Sequence, residues 1–200
     1  MSTEKEISKV EKTEFPVLFF ELQEEWRTWL EKNYSSANGV WLRFYKKGSG
    51  ITSLNYDGAL DEALCFGWID GQSKSSDEMS YLQKFTPRRA KSIWSKRNIE
   101  HIARLTEEGK MKPSGHKAAE AAKADGRWDM AYDSPGNMSI PEDFLLELSK
   151  DKKAYAFFET LNKANRYAIT WRLQTAKKTE TRERRMKIIL GMLSRGEKFH

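Results

Sequence analysis

Between Tyr56 and Asn98 the hydrophobic period changes twice, and this limits the fold more than any other feature of the chain. Tyr56, Leu60, Ala63, Leu64 and Gly67 share one stripe of a helix that starts at an Asn55 cap and runs to Phe66. From Trp68 the period drops to two. Trp68–Lys74 and Ser80–Thr86 read as the two strands of a hairpin around Ser75-Ser76-Asp77-Glu78, and Pro87 interrupts the second. Helical spacing then returns, with Ser92 as N-cap of a helix over Ile93–Glu108 and Gly109 as its stop.

The flanking segments extend the pattern. Leu22–Asn33 is an amphipathic helix with Trp26 and Trp29 toward the core, ended near Gly39. Val40–Lys46 is a strand: Val40, Leu42 and Phe44 share one face, Trp41, Arg43 and Tyr45 the other. Lys47-Gly-Ser-Gly50 is a flexible turn. Lys117–Ala124 is a short helix, and Arg127–Ile140 an ordered loop with aromatic anchors. From Pro141 the chain reads as helix to Arg195, with breaks near Asp151, Asn162 and Thr179. The fold class that follows is α+β. A small antiparallel sheet of about three strands, from residues 40–86, is surrounded by helices, and the C-terminal half is mostly helical. Residues 1–14 form a flexible arm, and 15–200 a single domain whose helical part spans about 141–196.

Large side chains are plentiful: 7 Trp, 7 Tyr and 10 Phe supply a core in a chain of only 38% apolar residues. No apolar run approaches the ~18 residues of a membrane helix, so no membrane insertion is expected. A polar N-terminus and a single cysteine place the protein in the cytoplasm. The net charge of +6 is unevenly spread. Lys84, Arg88, Arg89, Lys91, Lys96 and Arg97 form one acid-free patch. Lys177–Lys198, with eight bases against three acids, forms another. Both point to anionic partners.

Familiar catalytic patterns are missing. There is no Walker loop, dinucleotide fingerprint or nucleophile elbow. His101, His116 and His200 with one cysteine make no metal spacing, so neither metal nor cofactor is expected. Cys65 sits near a helix C-terminus with Asp61 one turn earlier, which disfavours a thiolate. His101 reads as a hydrogen-bonded core or rim residue. Asp70 carries more weight. Alternation puts it on the face of Trp68, and a buried carboxylate needs a partner, for which Arg88, Arg89 and Lys91 are the nearest bases. The helix start after Thr86-Pro-Arg-Arg89 combines bases, unpaired backbone N–H groups and the hydroxyls of Ser92 and Ser95, an anion site in outline.

The chain resembles the bacteriocin-protection, YdeI/OmpD-associated family of bacterial proteins. The resemblance rests on Ala59-Leu-Asp-Glu-Ala-Leu-Cys-Phe-Gly-Trp-Ile-Asp-Gly71, Phe85-Thr-Pro-Arg-Arg89 with Ser92-Ile-Trp-Ser95 and Asn98, and Gly109–Gly115 around Met111 and Pro113. Asp125-Gly-Arg-Trp128 and Trp171–Arg185 complete it, over roughly Phe15 to Lys198. It implies a role in tolerance of antimicrobial peptides or stress and carries over no catalytic residues. Three functions follow. The first is a binding protein for a small anionic ligand, walled by Trp68, Phe85 and Trp94 and contacted by Asp70, Arg88, Arg89, Lys91, Ser92, Ser95 and Asn98. The second is an enzyme with Asp70 or Glu62 as general base. The third is a nucleic-acid or protein adaptor acting through the basic C-terminal helix, although that run lacks the aromatics that nucleic acid favours.

Overall fold

The computed structural model describes residues 15–133 and 137–199, so the N-terminal arm and part of the aromatic-anchored loop lie outside the described residues. The described residues form two compact units, one of 15–92 with 101–121 and one of 93–100 with those from 122 onward. Their class is α+β, as the sequence implies.

The first unit holds a sheet of four strands, not three, in the order β1-β2-β4-β3: β1 (Val17–Leu18), β2 (Val40–Tyr45), β3 (Trp68–Ser75) and β4 (Ser80–Pro87). The extra strand is two residues long and carries no alternation signal. Backbone pairing makes it: β1 lies parallel to β2 with Val17 opposite Trp41, and Trp41 N donates to Pro16 O at 2.9 Å. The sheet is therefore mixed. β2–β4 and β4–β3 are antiparallel, with an irregularity between Asp70 and Ser73.

Helices α1 (Gln23–Asn33) and α2 (Tyr56–Cys65) cover one sheet face. The Glu25 carboxylate accepts from the Glu21 and Leu22 amides and so starts α1; Asn55 Oδ1 accepts from Gly58 N at 2.8 Å and caps α2. Trp26 is fully buried, against Trp68, Phe85 and Trp29 at centroid distances of 6.3, 5.9 and 5.3 Å. Burial of each such ring contributes roughly 1.5–3 kcal/mol. Their indole N–H groups are satisfied: Trp26 Nε1 donates to Ala59 O and Trp68 Nε1 to Tyr34 O. α2 stops at Gly67, whose φ of +76° suits glycine, and a Cβ there would lie 2.9 Å from the Ser114 carbonyl oxygen. At Gly115 a Cβ would come within 2.3 Å of Cys65 O, so only glycine permits this approach.

Helix α3 (Lys96–Glu107) starts three residues later than the sequence suggests. Ser92 is not its cap. Ser95 Oγ accepts from Asn98 N at 3.1 Å and takes that role. α4 (Pro113–Ala124) starts earlier than expected, at a proline suited to a first turn.

In the second unit, α5 (Glu142–Ser149), α6 (Lys152–Glu159), α7 (Lys163–Gln174) and α8 (Thr179–Ser194) bury a common core. It comprises Phe144, Leu148, Ala154, Phe158, Leu161, Ile169, Leu173, Ile189 and Leu193. The breaks fall where the sequence puts them. Asp151 caps α6 through Lys153 N and Ala154 N, and Asn162 caps α7 through Asn165 N. Among the described residues no helix is long and apolar enough to cross a membrane.

Candidate functional site

The ten residues proposed from sequence divide between the units. In the first, Trp68 and Phe85 are 1% and 0% exposed, so their rings are core. Asp70 is half-buried on the inward face, as alternation implies. Its partner is not a base: Tyr56 Oη donates to Asp70 Oδ2 at 2.7 Å. Arg88 N donates to Gly67 O, and Ser92 N to Arg89 O, so this stretch folds as a turn after β4. Arg89 and Lys91 are exposed.

In the second unit, Trp94 is buried at 5.0 Å from the Trp128 ring. Its carbonyl accepts from Tyr132 N, Lys96 N donates to Tyr132 O, and Ser95 bridges to Tyr132. Lys96 Nζ pairs with Asp133 at 2.7 Å. Ser95 and Asn98 are buried, joined by the capping bond. This is a knot that fixes the start of α3.

Other candidates are similarly committed. Glu62, 4% exposed, accepts from Gln23 Nε2 at 2.7 Å and from Arg27 Nη1 at 2.6 Å. With both oxygens engaged, it serves the α1–α2 contact. Cys65 is buried and free; burial, then the Glu62 charge, pushes its thiol up to about 11. His101 Nδ1 lies 2.6 Å from Asp61 Oδ1, and Arg104 grips both oxygens of the same carboxylate at 2.7 Å. That cluster ties α2 to α3. No group of three or more His, Cys, Asp or Glu among the described residues is arranged to hold a metal ion.

A cleft lies beyond Tyr56, the partner of Asp70. Its space of about 660 Å³ is bordered by the end of β2 (Phe44, Tyr45), the loop Lys46–Leu54, the first residues of α2 and Tyr81 of β4. Its apolar wall is the Phe44–Tyr81 pair, stacked at 5.3 Å. Its polar lining includes Lys46, Lys47, Ser49, Thr52, Ser53 and Tyr56. Ser53 Oγ accepts from Tyr45 N and Lys46 Nζ donates to Glu78 O, which hold the loop to the sheet. Gly48 and Gly50 adopt φ of +93° and +74° with nothing within 4 Å of a would-be Cβ, so the loop rim is open. Burial, then the Asp57 charge, raises the Tyr81 phenol above its usual value. The arrangement offers a helix N-terminus and two lysines for a negative group. Only the Asp70–Tyr56 link joins it to the residues picked from sequence. The signal that marks it is Lys46-Lys-Gly-Ser-Gly50 between a strand and a capped helix.

Residues 18–118, half of the chain, match the family model described as a domain of unknown function (DUF8412), and the chain belongs to that family. Residues 137–196 match the family model described as bacteriocin-protection, YdeI or OmpD-associated. The family recognised from sequence is thus matched over α5–α8, while the sheet-bearing part falls under the other model. No curated protein and no solved structure matches the chain.

Proposed function

We propose that the sheet-bearing unit binds a small anionic or zwitterionic ligand in the cleft under the Lys46–Leu54 loop, in the service of bacteriocin or stress tolerance. The observation that carries this is the lining: two lysines, hydroxyls and the start of α2 face one space of about 660 Å³, against a stacked aromatic wall. Ligand sites combine an apolar wall with a few polar groups in this way. Thermal shift with inorganic phosphate, pyrophosphate, a nucleoside monophosphate, a sugar phosphate and free amino acids tests it. At a hundredfold excess over Kd a ligand stabilises by about 2.7 kcal/mol, which is a rise of roughly 5–10 °C for a chain of this size. Lys47→Ala removes most of that rise. A flat response to every compound overturns the reading.

The Tyr56–Asp70 bond supports a second reading, that the cleft performs proton transfer. A phenol that donates to a carboxylate can take a proton from a bound group as its own passes to Asp70. Tyr56→Phe then leaves affinity for a compound found in the screen unchanged and stops its conversion. Equal conversion by both proteins sinks this reading.

A further inference from the structure

The sheet face opposite α1 and α2 carries aromatic rings and cations in alternation. Pairing aligns Val17, Trp41 and Lys84 in one row, and Arg43, Leu82 and Lys74 in the next. Phe19 meets Tyr45 edge-on at 5.4 Å. Lys74 Nζ sits 4.5 Å from the Trp41 ring centroid, and Lys84 Nζ lies 4.5 Å from Phe15 and 6.0 Å from Trp41. Its rings and lysines reach the surface: Val17 and Phe19 are 48% and 40% exposed, Lys74 is exposed, and Trp41 and Tyr45 are half-buried, while Leu82 and Ser80 between them are buried. Asp77 pairs with Arg43 at 2.9 Å, which leaves Lys74 and Lys84 as the cations beside the rings.

We propose that this face binds single-stranded nucleic acid, with bases stacked on Trp41 and Tyr45 and phosphates on Lys74 and Lys84. Rings and bases on one accessible surface meet the two needs of such a ligand, stacking partners and backbone charge. Trp41 and Tyr45 lie about 13 Å apart along β2, so one strand crosses both. An exposed cation–π contact is weaker than a base–ring stack. An incoming base therefore displaces the lysine heads, and their flexible stems carry them to the adjacent phosphates. A duplex, whose bases are already stacked, has no such use for the rings. This surface shares only Tyr45 with the lining of the cleft under Lys46–Leu54.

The test is fluorescence anisotropy of the full chain with labelled dT15 and U15 single strands and a duplex of the same length, from 25 to 200 mM salt. We expect saturable binding of the single strands and weaker binding of the duplex. A salt slope near −1.4 follows from two phosphate contacts at about −0.7 each. Trp41→Ala weakens binding about tenfold or more. Lys74→Glu with Lys84→Glu abolishes it and, because Lys74 is exposed and Lys84 half-buried, leaves the circular dichroism spectrum unchanged. Arg184→Ala with Lys187→Ala, on exposed positions of α8, leaves it intact. No binding at 25 mM salt overturns the proposal, as does duplex binding equal to single-strand binding. Full binding by the double lysine variant overturns it too. So does capture by vesicles rich in anionic lipid with neither oligonucleotide bound.

Discussion

The α5–α8 cluster and the sheet region use their buried side chains differently. In α5–α8 the shared core is apolar, and the buried polar groups Asn165 and Thr170 bond to residues one turn away in sequence. Charges stay outside, as caps and surface pairs. In the sheet region a carboxylate is buried beneath Gln23 and Arg27, and a second, Asp61, is clamped by His101 and Arg104. Apolar packing supplies stability without fixing much beyond shape. A paired buried charge adds little net stability and is costly to unbalance. The first region therefore reads as a stable helical body, and the second as a frame that holds particular groups in place beside open space.

Deleting one ring from the helical core gives the largest expected effect. Phe158 is 1% exposed and meets Phe144 at 5.8 Å. Phe158→Ala should cost about 3–5 kcal/mol, read as faster hydrogen exchange throughout α5–α8. A loss below about 1 kcal/mol would mean that this core repacks freely, against the contrast with the sheet region.

Arg27→Ala should cost about 3 kcal/mol, because it strands the Glu62 carboxylate in a buried site. The sharper measurement is the double variant Arg27→Met with Glu62→Leu. If the pair sets geometry more than stability, this variant melts within a few degrees of wild type while ligand binding in the cleft changes. A double variant as unstable as Arg27→Ala would mean that the pair itself stabilises the fold.

The two regions also differ in how legible they were. The helix breaks at Asp151 and Asn162 could be read from sequence because each cap is a local bond to an amide two or three residues on. β2 can be read from alternation with one face buried, and β3 with β4 from the hairpin pattern around Ser75–Glu78. β1 cannot, since its two residues are strand only through pairing with β2. The start of α3 was misplaced because Ser92 and Ser95 offer the same hydroxyl, and only the fold shows which one meets Asn98 N. Alternation puts Asp70 on the face of Trp68, and charge points to Arg88, Arg89 and Lys91 as partners, whereas the fold supplies Tyr56, fourteen residues earlier. The cleft was hidden for a similar reason. Its lysines, serines and glycines are ordinary loop residues until the loop is closed over Phe44 and Tyr81.

A smaller effect tests whether the charges around the helical cluster are peripheral. Asp151→Ala removes acceptors from the Lys153 and Ala154 amides, at 3.0 and 3.1 Å. Loss of such a cap costs about 1 kcal/mol, or roughly 2–4 °C. A melting point unchanged within a degree would show that packing alone fixes the start of α6.

The smallest expected effect concerns the pair that joins α8 to the first turn of α5. Arg182 donates from both terminal nitrogens to Asp143, one bond at 2.8 Å, and the adjacent guanidinium holds this carboxyl below its usual value. A depressed folded-state value fixes the sign. The contribution is full above the ordinary carboxylate range and disappears as pH falls through the lower folded value. The carboxylate side chain is 54% exposed, so solvent screens the pair and its worth is under about 1 kcal/mol. Asp143→Asn should therefore melt slightly below wild type at pH 7 and level with it at pH 2. Salt should shrink the gap at pH 7, because an exposed pair is screened. A gap of several kcal/mol that survives high salt would mean that α5–α8, like the sheet region, relies on a desolvated charge.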